Sequence, residues 1–498
     1  YCVFFRLVWL TILVISLLIC IYSIVQIYIK WKAFPAFVTI AKSPTPVWQV
    51  PFPAVTICPE TKVRQRVFNY TNAYHKYNED PENTTAEELQ HFEQASLVCN
   101  SHLHTSGNET IGYDTIKYIG EVAAKFLWMC IWVNQNMSCD EGLTRTLTEE
   151  GVCYTFNMLN RKELFTNMVF YNESFFEHAY LSNNWKLDAG YTKNTEVDVF
   201  PRRAKSSGKK ASLGILAHLY EQDLDYICKG PIQGYKIHLH NPAEMPKLSQ
   251  NYLRAALNQE VLISIQPDIT TTSEGLRNYN PNVRECYFAE ERQLKFFQIY
   301  TQRNCEVECL VNYTLAKCGC VSYHMPHNET TAICGTGSTA CVRQSEGIVL
   351  ERETKANMDR FRYKDYSSNE SRCNCLPSCT SIKYNTESSQ SDYNWQKVFM
   401  AYKENFSEYP GVQMTRLFFF FKEQQFFTSE RHELYATVDF LDNCGGLLGI
   451  FIGFSLLSIS EIFYFLTFRL FCNIRRHGRH FWSASPELLN DGDHEKDK

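Results

Sequence analysis

Val438 to Leu470 reads VDFLDNCGGLLGIFIGFSLLSISEIFYFLTFRL, an apolar stretch that nevertheless carries Asp439, Asp442 and Glu461. A helix of about 20 apolar residues, rising 1.5 Å per residue, crosses the roughly 30 Å hydrocarbon layer of a membrane. An Asp at the centre of such a helix costs about 2.5 to 3.5 kcal/mol on insertion scales, so a carboxylate there faces water or a partner charge. Taken as one helix, Asp439, Asp442, Gly446, Gly449 and Gly453 recur at spacings of 3, 4, 3 and 4 and line one face. Close helix packing accounts for the glycines. It does not account for the acids.

Working outward, a second long apolar segment lies near the other end. Leu7 to Ile29, LVWLTILVISLLICIYSIVQIYI, contains no charge. It is longer than the apolar region of a secretory leader, and Lys30, Trp31 and Lys32 follow it in place of a small-residue cleavage site. The sequence predicts a first span over residues 1–30, an external domain over 31–436, a second span over 437–470 and a tail over 471–498. Arg469, Arg475, Arg476 and Arg479 close the second span with positive charge, which favours a cytoplasmic C-terminus. Two spans then put both termini inside, in a plasma-membrane protein whose bulk is extracellular.

The bulk carries two further signs of the secretory route. Sequons N-x-S/T begin at Asn69, Asn83, Asn108, Asn136, Asn172, Asn312, Asn328, Asn369 and Asn405, all between the spans. Sixteen of the 20 cysteines fall there too: Cys58, Cys99, Cys130, Cys139, Cys153, Cys228, Cys286, Cys305, Cys309, Cys318, Cys320, Cys334, Cys341, Cys373, Cys375 and Cys379. An even number in an oxidising compartment predicts a disulfide framework, of open connectivity. Zinc is the rival reading, but CEVEC, CGC and CNCLPSC lack matched C-x₂-C knuckles, and no metal is expected. Cys2, Cys20, Cys444 and Cys472 are left in or near the membrane.

Composition narrows the class. The 498 residues are 45% hydrophobic and 21% charged with a net charge of -5, too apolar for disorder and a poor electrostatic match for nucleic acid. No fixed-period repeat appears. Strands are predicted at Tyr235–His240, Glu260–Pro267 and Val412–Phe421, and a helix over Thr85–Val98 with Thr84 or Thr85 as its cap. The expected fold is an α+β membrane protein: two transmembrane helices flanking a disulfide-rich ectodomain with a β-sheet core and peripheral helices. Phe200 to Lys210, FPRRAKSSGKK, reads as an exposed basic loop that a furin-like protease could cut after Lys205. No G-x-S-x-G, H-E-x-x-H or phosphate-binding glycine loop occurs, so neither catalysis nor a cofactor is expected.

If three copies packed around an axis, the Asp442 carboxylates would form a ring, each attracting a cation at about 5 Å by roughly 3 kcal/mol at an effective dielectric near 20. Gly453, Phe454 and Ser455 would offer a flexible backbone, a hydroxyl and carbonyls at mid-membrane, where irregular backbone is tolerated only around water or protein. Glu461 would stand nearer the cytoplasm. Together these residues argue for a cation pathway without fixing the subunit number.

The chain resembles the degenerin/epithelial sodium channel superfamily, most closely its insect pickpocket branch. The resemblance rests on FPAVTIC (Phe52–Cys58), GVCYTFN (Gly151–Asn157), HNPAEMP (His240–Pro246), ISIQPDITTTSEGLR (Ile263–Arg277), YTQRNCEVEC (Tyr300–Cys309) with CGC and CNCLPSC behind it, and GGLLGIFIGFS (Gly445–Ser455). It implies a homotrimer or a heterotrimer with related subunits in the lipid bilayer, conducting sodium and blocked by amiloride, under an extracellular chemical or mechanical stimulus. Gly453, Phe454 and Ser455 take the positions of the family's filter, usually Gly, a small residue and Ser, so Phe454 departs from the pattern. Asp442 falls where many members have a small residue, and Asn443 where acid-sensing relatives carry Asp. The family's His-Gly motif before the first span is expected upstream of Tyr1. A non-conducting regulatory subunit of a heteromer is the alternative within the family. Outside it stands a two-span scavenger-type receptor, which needs no acidic span, and more distantly an ATP-gated trimer.

Overall fold

The computed structural model describes residues 2–33, 36–99, 107–171, 174–193, 195, 196, 198–362, 373–404, 409–434, 437–453 and 455–477. The chain divides into two compact units, one of Tyr1–Val38, Ser273–Arg284 and His432–Lys498, the other of Thr39–Thr272 and Glu285–Arg431.

The smaller unit holds the apolar helices. Helix α1 (Cys2–Ala33) contains the 26-residue candidate span Leu7–Lys32. In the larger unit the principal helices are α2 (Tyr70–Glu79), α3 (Ala86–Ser96), α4 (Asp114–Val122), the single turn α5 (Tyr226–Lys229), α6 (Gln302–Cys318), α7 (Thr339–Arg362) and α8 (Trp395–Ala401). Helix α3 starts one residue later than predicted because Thr85 is its cap, accepting from Glu88 N–H while the Glu88 carboxylate accepts from Thr85 N–H.

The strands of the larger unit run β1 (Ala54–Pro59), β2 (Leu127–Trp132), β3 (Gln135–Met137), β4 (Leu143–Thr148), β5 (Gly151–Phe156), β6 (Leu213–Tyr220), β7 (Tyr235–His240), β8 (Leu253–Ala255), β9 (Gln259–Thr272), β10 (Ser381–Asp392) and β11 (Val412–Phe421). Within an eight-stranded sheet the order runs β9-β11-β6-β2-β3, with β10 on the other side of β9 and the short strand Ser429–Glu433 paired to the end of β9. Strand β9 is longer than its predicted run because it serves three partners: β10, antiparallel along most of its length, β11, parallel over Glu260–Ile265, and the strand Ser429–Glu433, parallel over Thr270–Thr272. The second sheet has the order β8-β7-β1-β5-β4. Phe52, fully buried at the entry to β1, locks the two sheets together. Its ring meets Trp132 at 5.0 Å and Phe421 at 5.4 Å from the first sheet, and Phe156 at 6.0 Å from the second.

Sixteen cysteines make eight disulfides, Cys58–Cys153, Cys99–Cys228, Cys130–Cys139, Cys286–Cys379, Cys305–Cys375, Cys309–Cys373, Cys318–Cys341 and Cys320–Cys334. Cys305 and Cys309 are one helical turn apart on α6 and share a face, and Cys375 and Cys373 meet them from an irregular loop that turns at Asn374, whose φ is 45°. That double match sets two bridges side by side.

The basic stretch 200–210 is exposed at Lys205, Lys209 and Lys210, as expected of it, but its first half is not. Pro201, Arg203 and Ala204 are buried, and the Arg203 guanidinium donates to the carbonyls of Trp48, Thr195 and Glu196 and stacks over Tyr191 at 4.2 Å. A guanidinium saturates several carbonyls at once, and here that capacity draws a charged run inward. Lys205 remains exposed, paired with Asp198 at 2.8 Å.

Candidate functional site

The predicted second span is not one continuous helix. Helix α9 (Thr437–Ile452) ends at Gly453, whose φ of 68° lies in the left-handed region and whose N–H still bonds to the Gly449 carbonyl at 3.1 Å. Glycine adopts that conformation without the clash a Cβ would cause, so it closes helices. Ser455, extended at φ -119°, opens helix α10 (Leu456–Phe463), its hydroxyl accepting from Ser458 N–H at 3.3 Å. A π-helical turn, Tyr464–Arg469, leads into α11 (Leu470–His477). The apolar segments Val438–Ile452 and Leu457–Cys472 meet at 84°. Gly453 therefore leaves the helical stripe to which its spacing had assigned it and becomes the break itself. Phe454 lies outside the described residues.

Within α9 most of the half-covered residues share one side. Phe440, Cys444, Leu447 and Phe451 are partly covered. Phe440 stacks on Trp31 of α1 at 4.8 Å and meets Tyr28 at 6.4 Å, so this face packs on the first apolar helix. Asp439, Asp442, Gly446 and Gly449 fall on the opposite side at 100° per residue, and all four are exposed. A Cβ added at Gly445, Gly446 or Gly453 would meet nothing within 4 Å. Asn443 is turned aside from Asp442, its amide donating to the Asp439 carbonyl at 2.8 Å. Glu461 is exposed on α10.

The aromatic clamp of Tyr28, Trp31 and Phe440 had no part in the sequence reading. Amphipathic aromatics at the end of an apolar run could have announced it, since such rings settle at membrane interfaces. Asn69, Asn83, Asn108, Asn136 and Asn312 are exposed and Asn328 is half-buried; Asn172, Asn369 and Asn405 lie outside the described residues, as does most of the tail. Among the described residues the cysteines without a bridge are Cys20, Cys444 and Cys472.

These features coincide with a sequence match over the whole architecture. The model of the "Amiloride-sensitive sodium channel" family matches residues 3–465. Among curated relatives, Pickpocket protein 28 of Drosophila melanogaster is 27% identical over 96% of this chain and 76% of its own length. Sodium channel protein Nach of the same fly is 22% identical over 95% of this chain and 85% of its own. Acid-sensing ion channel 2 of Rattus norvegicus is 26% identical over 46% of this chain and 41% of its own. With the match running from the first apolar helix through the disulfide-braced sheets to the broken acidic one, the chain belongs to the amiloride-sensitive sodium channel family, a family of ion channels and not of enzymes.

Proposed function

We propose that the chain is a pore-forming subunit of a sodium-preferring, amiloride-sensitive cation channel, assembled as a trimer of identical or related subunits. Residues 31–436 form the extracellular part, with sugars on exposed sequons, and both termini are cytoplasmic. The observation that carries this reading is the exposed face of Asp439, Asp442, Gly446 and Gly449 on α9, opposite the face packed on α1. An acidic, bare face in an apolar helix has two ways to be stable in a membrane: water or a symmetry mate. A trimer supplies both. Three Asp442 carboxylates at the outer mouth raise the local cation concentration and repel anions. Gly453 and Ser455 interrupt the helix, and the filter positions Gly453, Phe454 and Ser455 would offer carbonyl oxygens to a dehydrating ion at the narrowest level. Glu461 provides a second carboxylate on the inner side.

The test is whole-cell current in oocytes expressing the protein, with bath sodium replaced by a large organic cation and amiloride then added, under surface labelling. A sodium-dependent, amiloride-sensitive inward current is expected. Silence despite surface expression would instead assign the chain a regulatory place in a heteromer. In a conducting assembly, Asp442→Asn is expected to lower inward unitary conductance several-fold at low ionic strength, and less at high salt where the carboxylates are screened. Unchanged conductance and cation preference in that variant would sink the ring.

A further inference from the structure

Glu150 sits in the tight turn between β4 and β5 and gathers three ammonium groups. Lys62 Nζ lies 2.8 Å and Lys229 Nζ 3.3 Å from its Oε2, and Lys236 holds its Oε1. Beside it Glu60 stands 3.4 Å from Arg254 and 4.0 Å from Lys236. Four cations thus face two carboxylates, and most of the group is shut away from water: the Lys62 side chain is 2% exposed, Glu60 5% and Glu150 11%. The other titratable groups around it are Glu149 in the same turn, Tyr252 on the loop before β8, and Tyr323 after α6, whose hydroxyl donates to the Glu149 carbonyl at 3.3 Å.

The cluster occupies a joint. Glu60 and Lys62 belong to the segment leaving β1, and two residues on, Arg64 N–H bonds to the Val122 carbonyl at the end of α4. Lys229 ends α5, where Cys228 is bridged to Cys99 just beyond α3 and Asp225 bonds to Thr71 of α2. Lys236 and Arg254 come from β7 and β8. The helical layer α2–α4 is therefore fastened to the five-stranded sheet through these charges.

Arg254 reaches water, its side chain 41% exposed, so the enclosed part sets three ammonium groups against two carboxylates. A surplus positive charge in a poorly solvated site is unfavourable, and the cheapest relief is the loss of one proton from the most enclosed ammonium. Burial, with Lys229 adding to it and Glu150 and Glu60 opposing, pulls Lys62 down from the usual lysine range to about 8. Its neutral amine still donates to the Pro59 carbonyl at 2.7 Å and stays beside Glu150 Oε2, 2.8 Å away.

We propose that the Lys62–Glu150 cluster is a pH-operated latch: in mildly alkaline solution Lys62 gives a proton to a base in the solvent, and the joint between the helical layer and the five-stranded sheet tightens. The sign follows from linkage. Opening the joint solvates Lys62 and restores its ordinary affinity for the proton, so the open form binds more protons and is favoured at lower pH. This device does not depend on whether the chain conducts alone.

Hydrogen–deuterium exchange on the full-length protein in detergent, corrected for the intrinsic effect of pH, reads the opening of peptides covering 59–64, 148–151 and 226–230. Between pH 7 and pH 9.5 the opening equilibrium in the wild type should fall by roughly 25-fold, the ratio expected for a lysine at about 8 when closed and 10.5 when open. Lys62→Met, which cannot titrate, should show the same protection at both pH values. Lys62→Arg, which stays charged, should stay loose at both. Peptides from β9 and β10 serve as the reference. A flat wild-type profile, or a pH dependence that survives in Lys62→Met, overturns the latch; loss of protection in Lys62→Met at every pH makes the cluster a static brace. Should either variant fail to fold, the wild-type profile decides alone.

Discussion

Asp442 and Asn443 differ by one position, and one position on a helix is a turn of about 100°. Asp442 shares the exposed side of α9 with Gly446 and Gly449, while the Asn443 amide is occupied by the Asp439 carbonyl. Asn443→Ala should therefore leave unitary conductance within about 2-fold of wild type, against the several-fold loss in Asp442→Asn, as single-channel recording would show. A second pair of neighbours lies on β7. His238 and His240 alternate onto one buried face, their rings 5.3 Å apart. His240 Nδ1 donates to the Asn241 carbonyl at 3.0 Å, so Nε2 accepts from the Thr56 hydroxyl at 2.9 Å. Burial pulls His238 down to about 4 and holds His240 well below the ordinary histidine range, with the neighbouring His238 as its second cause. Both are neutral when folded but protonate when unfolded below about pH 6.5, so the stability they support is complete above that value and drains away as the pH falls toward 4. Glu244, pushed up to about 7 by burial, acts oppositely and gains stability over part of the same range. Glu244→Gln should thus raise the pH at which heat stability begins to fall, read from melting temperatures between pH 7 and 4.

At the scale of single elements, the cap of α3 was legible in TTAEE, since a Thr followed three residues later by Glu is a capping box. Thr85→Ala should cost about 1 kcal/mol and be measurable as faster exchange of the first turn of α3. The break in the second apolar segment was half legible. GFS marked irregular backbone, yet the helical spacing enrolled Gly453 in a continuous stripe, because periodicity cannot see a positive φ. The first half of the stretch 200–210 departs from expectation for a related reason: charge suggested solvent, whereas three backbone carbonyls take up Arg203. Limited trypsin digestion of the native protein should spare the Arg202–Arg203 and Arg203–Ala204 bonds, and cleavage there in the folded state would contradict the burial of Ala204.

For the molecule as a whole, the disulfides bound the stability of the sheets and helices outside the membrane. In the chain-entropy picture a bridge gains with the loop it closes. Cys58–Cys153 spans 95 residues and Cys320–Cys334 only 14. Paired Ser substitutions should cost about 4 to 5 kcal/mol at the first and about 3 kcal/mol at the second, compared through denaturant midpoints of the purified protein. The order of the two matters more than either value. Equal losses would mean that native contacts around the sulfurs, and not the unfolded chain, set the contribution.

Uncharged length, sequons, cysteine number and alternating strands are local or additive properties, so the sequence alone determined an apolar first helix, a disulfide framework, the runs of β7 and β11 and an acidic, glycine-lined second segment. Cysteine pairing was determined only by the fold, since sixteen sulfurs allow very many connectivities until α6 sets Cys305 and Cys309 on one face against Cys375 and Cys373. The face of α9 that stays bare was settled by Trp31 stacking on Phe440, a contact between residues about 400 positions apart. The Lys62–Glu150 cluster was invisible for the same reason. Its six charges come from five separate stretches, and only chain folding brings them close enough for burial to shift a proton.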